Sequence, residues 1–202
     1  MLKNIFETPM WHKRISPKWR DELKRLTGVI KDIRDKDPNS NQSQYLNGYT
    51  TYYSKEDILN SKDFINIKKV IETEAQEFMK ELGICDNIDV KVETLFGNIN
   101  GQYSAHSMHI HEMSHFSGSL YLDANIKDAK IGFLSPSYLS MMHFNPDMFD
   151  KKSFKTSLKL TPRTGDILIF PSWLLHEVEP QQQKHERVCV AFNIILNPRR
   201  PV

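Results

Sequence analysis

The stretch that decides the fold runs from Thr161 to Leu196: TPRTGDILIFPSWLLHEVEPQQQKHERVCVAFNIIL. Pro162 to Gly165 has the composition of a turn, and Asp166 to Phe170 is a short apolar run of strand type. Pro171-Ser172-Trp173 is a tight connection into a second run that carries His176, flanked by Leu174 and Leu175. A third run opens at Arg187. Counting by two puts Arg187, Cys189, Ala191 and Asn193 on one face and Val188, Val190, Phe192 and Ile194 on the other. Both faces are largely apolar, so this strand is expected at the centre of a sheet covered on two sides.

The same period of two extends upstream. DVKVETLF (89–96), HFSGSLYLD (115–123), KIGFL (130–134) and TSLKL (156–160) all read as strands. Seven or eight short strands divided by turns, with no helical period between them, argue against a parallel doubly wound sheet and for a jelly roll. Residues 1–87 read differently. Ser16-Pro17 is a helix start, with a helix expected to about Asp35, followed by the polar loop DPNSNQSQ. YTTYY (49–53) favours a strand, and Ser54 to Asp57 resembles a capping box. Phe64, Ile67, Ile71, Ala75, Phe78 and Leu82 then form one stripe at helical spacing, closed by Gly83. The expected architecture is mainly β with flanking helices, a single domain over 1–202. Residues 1–87 would supply mainly helical support and 88–202 the jelly-roll core.

Composition narrows the functional classes. Of 202 residues, 27 are basic and 25 acidic, a net charge of +2 that gives no case for nucleic acid or an anionic membrane as partner. No stretch approaches the apolar length of a membrane span, and MLKNIFETPMW lacks the apolar run of a signal peptide. Cys85 and Cys189 have no paired spacing, which predicts a reduced, cytoplasmic protein without a disulfide framework.

The chemistry is concentrated in HSMHIHEMSH (106–115), which holds four of the 8 histidines. On a strand, His109 and His111 share a face and can share one metal ion, whereas His106 has the opposite parity and is expected to face elsewhere. An H-x-H pair also arises by chance on surfaces. His176 is a candidate third ligand delivered from across the barrel; its bland reading is a histidine satisfied by a core hydrogen bond. Arg187, at the start of an apolar strand, is costly unless an anion meets it. That anion is either an internal carboxylate or a bound one held in bidentate geometry.

The order of these features resembles the Fe(II)- and 2-oxoglutarate-dependent oxygenases. IFETPMW near the start, NGYTT (47–51), HIHEMSHFSGSLYL (109–122), GDILIFPSWLLHEVEP (165–180) and ERVCVAFN (186–193) follow one another as in a subgroup of that family, whose members are often encoded by marine bacteria and their phages. The resemblance spans nearly the whole chain, and FPSWLxH is its most diagnostic block. It implies a double-stranded β-helix, with Fe(II), 2-oxoglutarate and O2 as cofactor and co-substrates. It implies His109, His111 and His176 as iron ligands, with Glu112, which stands where the subgroup has proline, as the alternative to His111 if the strand ends early. Arg187 would anchor 2-oxoglutarate. Asn98, Cys189 and one of Tyr103 and Tyr121 would complete the co-substrate site, and Asn100, Trp173 and Asn193 would line the pocket. Cys189 departs from the serine that many relatives carry.

The implied reaction is hydroxylation of a small-molecule or peptidyl substrate, in the host cytoplasm if the chain is phage-encoded. A three-histidine cupin-type dioxygenase without 2-oxoglutarate and a non-catalytic jelly-roll binding module are the competing readings. The loop 135–154, which begins SPSYLSMMHFNPDMFDKK, is a candidate lid or substrate wall.

Overall fold

The computed structural model describes residues 7–38, 45–84, 87–137 and 156–199. Two antiparallel sheets face each other. The larger contains β1 (Trp11–Arg14), β3 (Tyr49–Thr50), β4 (Ile88–Asn100), β6 (Phe116–Asp123), β9 (Asp166–Pro171) and β11 (Arg187–Pro198), in the order β1-β9-β6-β11-β4-β3. The smaller contains β2 (Tyr45–Leu46), β5 (Ala105–His109), β7 (Ile131–Leu134), β8 (Ser157–Leu160) and β10 (His176–Val178), in the order β2-β5-β10-β7-β8. Two helices, α1 (Arg20–Lys36) and α2 (Ile65–Glu81), back the larger sheet. This is the expected jelly roll buttressed by helices.

Strand parity sorts the core. Ile167 and Ile169 of β9, Leu120 and Leu122 of β6, and Val188, Val190, Phe192 and Ile194 of β11 turn toward the helices. There they meet Leu23, Leu26 and Ile30 of α1 and Ile67, Ile71 and Phe78 of α2. The alternate residues Leu168, Phe170, Tyr121 and Cys189 turn into the space between the sheets, with Ile131 and Phe133 of β7. The central strands are therefore buried on both faces, as the reading of β11 required. Gly118 sits where β6 passes between β9 and β11. A Cβ there would overlap the Leu168 carbonyl oxygen and the Phe192 ring, so only glycine allows this approach.

The first half departs from expectation in three places. YTTYY pairs with β4 only at Tyr49–Thr50; Thr51–Tyr53 form a 3-10 turn, capped by the Thr50 side chain accepting from the Tyr52 amide. Ser54 to Asp57 starts no helix. Ser54 Oγ donates to Asp37 instead, and the turn leading into α2 begins at Ser61, whose hydroxyl accepts from the Asp63 amide. Strand β1 was not foreseen. It joins the sheet edge beside β9, and Trp11 Nε1 and Lys13 Nζ both donate to the buried Glu74 of α2. Its four residues alternate too few apolar side chains to register a period. Gly83 closes α2 at φ +73°, as its position after the apolar stripe predicts. The expected polar loop lies partly, and the candidate lid mostly, outside the described residues.

Candidate active site

β5 and β10 are neighbours in the smaller sheet, and their register sets His109 directly opposite His176. His111 lies two residues beyond the end of β5. Its amide donates to the Ser172 carbonyl, which holds it against the turn after β9. One ring nitrogen from each of His109, His111 and His176 lies within 4.8 Å of the other two. Ring centroids are 5.2 Å apart for His109 and His111, 4.2 Å for His109 and His176, and 5.1 Å for His111 and His176.

Each Nδ1 of the trio already has a partner. That of His109 meets the Ser107 carbonyl at 2.7 Å, that of His176 the Leu174 carbonyl at 2.8 Å, and that of His111 the Asn193 Oδ1 at 2.6 Å. Oxygens of this kind only accept, so each imidazole donates from Nδ1 and keeps the lone pair on Nε2. Burial pushes all three below the ordinary histidine value, and for His176, at about 2, and His111, at about 4, neighbouring imidazoles add to it. Neutral rings with a free Nε2 are what a metal ion needs.

His106 breaks the parity expectation. Val178 pairs with His106 while His176 pairs with His109, so three steps along β5 span two along β10. This irregularity turns His106 to the side of His109, and the two rings stack at 3.9 Å with 23° between planes. Its pKa falls to about 3 through burial and the adjoining imidazoles.

Behind the trio lies a cavity of about 40 Å³, lined among others by Tyr45, Asn98, Asn100, Tyr121, Arg187 and Cys189. In front of it opens a wider chamber of about 530 Å³ that Tyr52, Tyr53, Glu93, Glu112 and Asn193 help to line. His106, His109 and His111 line both, so the imidazoles stand at the boundary. Arg187 is 1% exposed. Its guanidinium donates to the Ala129 carbonyl at 2.8 Å and to Asn100 Oδ1 at 2.9 Å, and rests over the Tyr121 ring. It meets no carboxylate among the described residues, and its Nε and the Asn100 Nδ2 are buried donors without a partner. Burial also raises Tyr45, Tyr121 and Cys189, which stay protonated at neutral pH.

Three sequence-based assignments are corrected. Tyr103 is 61% exposed in a turn closed by Gly101 and Ser104, with φ +66°, and its side chain leaves the cavity; Tyr121 lines it instead. Trp173 is 55% exposed, because the Pro171–Leu174 turn pins Ser172 inward and puts Trp173 at its tip. Glu112 is exposed at the outer chamber and does not join the cluster of three imidazoles. Asn193 lines the outer chamber, not the inner cavity, and there orients His111. Sequence reasoning missed Tyr45, whose hydroxyl donates to Asn100 Oδ1 at 2.6 Å. The strand that carries it is two residues long and leaves no periodic signal.

A family model described as "Putative 2OG-Fe(II) oxygenase" matches residues 94–193, which contain the H-x-H pair, His176 and Arg187. No curated protein sequence matches. Among solved structures, the chain is similar to a Pseudomonas putida prolyl-4-hydroxylase, at 14% identity over 96% of this chain and 94% of that one, with a TM-score of 0.62. It is also similar to HygX from Streptomyces hygroscopicus with nickel, 2-oxoglutarate and hygromycin B bound, at 11% identity over 93% and 82%, TM-score 0.60. A third likeness is the collagen prolyl hydroxylase of Paramecium bursaria Chlorella virus-1 in complex with 2OG, at 13% identity over 92% and 94%, TM-score 0.56. At these identities the structures speak for a shared fold.

Proposed function

The chain belongs to the 2OG-Fe(II) oxygenase family, and on that premise we propose that His109, His111 and His176 hold its Fe(II) and that Arg187 binds the far carboxylate of 2-oxoglutarate in the inner cavity. Arg187 carries this reading. A buried guanidinium without a carboxylate partner among the described residues, beside three imidazoles with free Nε2 atoms, fits a metal-chelating dianion. A three-histidine dioxygenase without co-substrate would leave that charge unexplained or use it for the substrate's own carboxylate.

Fe(II) with 2-oxoglutarate would supply the activation of O2, the co-substrate losing CO2 and taking up one oxygen atom to become succinate while the other oxygen atom goes to the substrate. The protein's own residues bind, orient and exclude water. Three neutral imidazoles do not offset the metal's charge, so the site attracts a dianion. Phenolic Tyr45 and Tyr121 remain O–H groups at neutral pH, Tyr45 fixing Asn100 and Tyr121 flooring Arg187. Ile131, Phe170 and Val178 wall the inner cavity with apolar surface. The wider chamber beyond the imidazoles is where a small-molecule or peptidyl substrate would be presented for hydroxylation. No helix among the described residues is long and apolar enough to cross a membrane.

The test is oxygen uptake and succinate release by Fe(II)-loaded protein across pools of small molecules and peptides. Both should require 2-oxoglutarate, and both should fall in Arg187→Lys. Substrate-dependent oxygen uptake that needs no 2-oxoglutarate would favour the cupin-type dioxygenase.

A further inference from the structure

Arg187 is surrounded by neutral acceptors, although a buried carboxylate stands one residue from one of them. Its NH1 donates to the carbonyl of Ala129, and the preceding residue is Asp128, whose side chain is 0% exposed. In a low-dielectric interior a guanidinium that contacts the residue next to a buried carboxylate would ordinarily draw that carboxylate into a pair, in the fork geometry that suits both. They do not, because both Asp128 oxygens are already engaged. Oδ2 accepts from the Asn125 amide at 2.8 Å and lies 2.9 Å from His185 Nδ1, a nitrogen that Asn125 Nδ2 also approaches at 3.0 Å. Oδ1 accepts from Gln181 Nε2 at 3.1 Å and lies 3.0 Å from the same His185 nitrogen.

Gln181 is the centre of this arrangement. It is 0% exposed. Its Nε2 holds Asp128, and its Oε1 accepts from the amide of Ala129 at 3.2 Å, so one side chain fixes both the carboxylate and the residue that receives Arg187. Its backbone ties the loop to the start of β5, donating to the Ser104 carbonyl and accepting from the Tyr103 amide. On the outer side, His185 Nε2 faces Asp123 Oδ1 at 3.2 Å, which anchors the ring at its second nitrogen.

We propose that Gln181 and His185 are positioning residues for the co-substrate: they keep the Asp128 carboxylate in a closed set of hydrogen bonds, so that it cannot pair with Arg187 and the guanidinium keeps its charge for 2-oxoglutarate. The inference rests on the assignment of Arg187 given above. Loss of either side chain leaves at least one Asp128 oxygen with a single partner in a buried space, and the proposal has Arg187 make up that loss. Arg187 is then neutralised from within and turned away from the cavity.

The experiment is an anaerobic calorimetric titration of Fe(II)-loaded protein with 2-oxoglutarate. Wild type is compared with Gln181→Met and His185→Leu, each alone and combined with Asp128→Asn, and with Arg187→Lys. Each single variant should weaken 2-oxoglutarate binding about tenfold, the worth of one charge-assisted contact, with Fe(II) content unchanged. Adding Asp128→Asn removes the competing charge and should restore binding to within about threefold of wild type. A merely structural role predicts the opposite, since the double variants lose more buried hydrogen bonds than the single ones. Single variants that bind as wild type does, or double variants without rescue, overturn the proposal while Arg187→Lys still weakens binding. Wild type that does not bind 2-oxoglutarate, or Arg187→Lys that binds it equally well, overturns the functional reading instead. Should buried Gln181→Met fail to fold, the half-buried His185→Leu pair decides the question by the same criteria.

Discussion

The three gathered imidazoles differ in what orients them. His109 and His176 lean on carbonyls two residues back in their own chain, whereas His111 depends on a side chain, Asn193, itself held by the Ser117 hydroxyl at 2.8 Å. Asn193→Leu removes that acceptor and frees the His111 ring to rotate or change tautomer. Fe(II) affinity should fall roughly 10–100-fold, as read by competition with a chelator, while His106→Phe should leave Fe(II) affinity close to wild type. Arg187→Lys keeps the charge but not the fork, and should cost about 1.5–3 kcal/mol in 2-oxoglutarate binding with Fe(II) content unchanged. The residues behind these predictions differ in how legible they were. His176 and Arg187 stand out in the sequence because each interrupts an apolar run, and His109 because it shares an H-x-H with His111. Asn193 was visible as a neighbour of Arg187 on the same face. His106 was misread because parity counting assumes an unbroken strand, and one extra residue in β5 reverses it. Trp173 was misread for a different reason: it belongs to the most diagnostic block, yet its place at a turn tip sends the ring outward.

At the level of elements, β11 was the most readable part of the chain. A strand apolar on both faces has to lie between two layers, and the alternation of Val188, Val190 and Phe192 against Cys189 and Ala191 then assigns the faces. Short edge strands carry no such information. β1 is fixed by what it reaches, the Glu74 carboxylate on α2, and contacts separated by some sixty residues leave no local trace. The 3-10 turn over Thr51–Tyr53 likewise overrides the β preference of its residues, since Thr51 Oγ1 is needed to accept from the Gly97 amide. The close passage at Gly118 gives the element-level prediction. Gly118→Ala must push β6 away from β9 or displace Phe192, and should lower stability by about 1–3 kcal/mol in chemical denaturation. Because β6 also carries Tyr121 and Ser117, the same variant should weaken 2-oxoglutarate and Fe(II) binding together; an unchanged melting temperature would show that the passage is not as tight as described.

Over the whole molecule, the helices brace the sheet that bears Arg187, and one ion-pair cluster ties them at the critical end. Lys31 and Arg34 of α1 reach Glu186 at 3.0 and 2.6 Å, one residue before Arg187. Burial pushes the Glu186 carboxyl up, but the hydrogen bonds from Lys31 and Arg34 outweigh it, so it ionises below its ordinary value. A carboxyl depressed on folding contributes stability above its unfolded pKa and loses it as pH falls through the folded one. Glu186→Gln should therefore lower the melting temperature at neutral pH by a few degrees, about 1–4 °C for a partly exposed pair, and the difference from wild type should shrink as the pH drops below the ordinary carboxylate range. A gap that stays constant with pH would remove the ion pair as its cause. The proposed function requires that the three imidazoles and Arg187 together receive a metal and 2-oxoglutarate. Its most direct test is optical. Fe(II)-loaded protein is titrated with 2-oxoglutarate in the absence of oxygen, and the charge-transfer absorption of the iron–keto-acid chelate is followed. A saturable band at one equivalent is expected in wild type, a right-shifted titration in Arg187→Lys, and no band in His176→Ala. An iron-loaded wild type that develops no such band at saturating 2-oxoglutarate, or a His176→Ala variant that develops it in full, would contradict it.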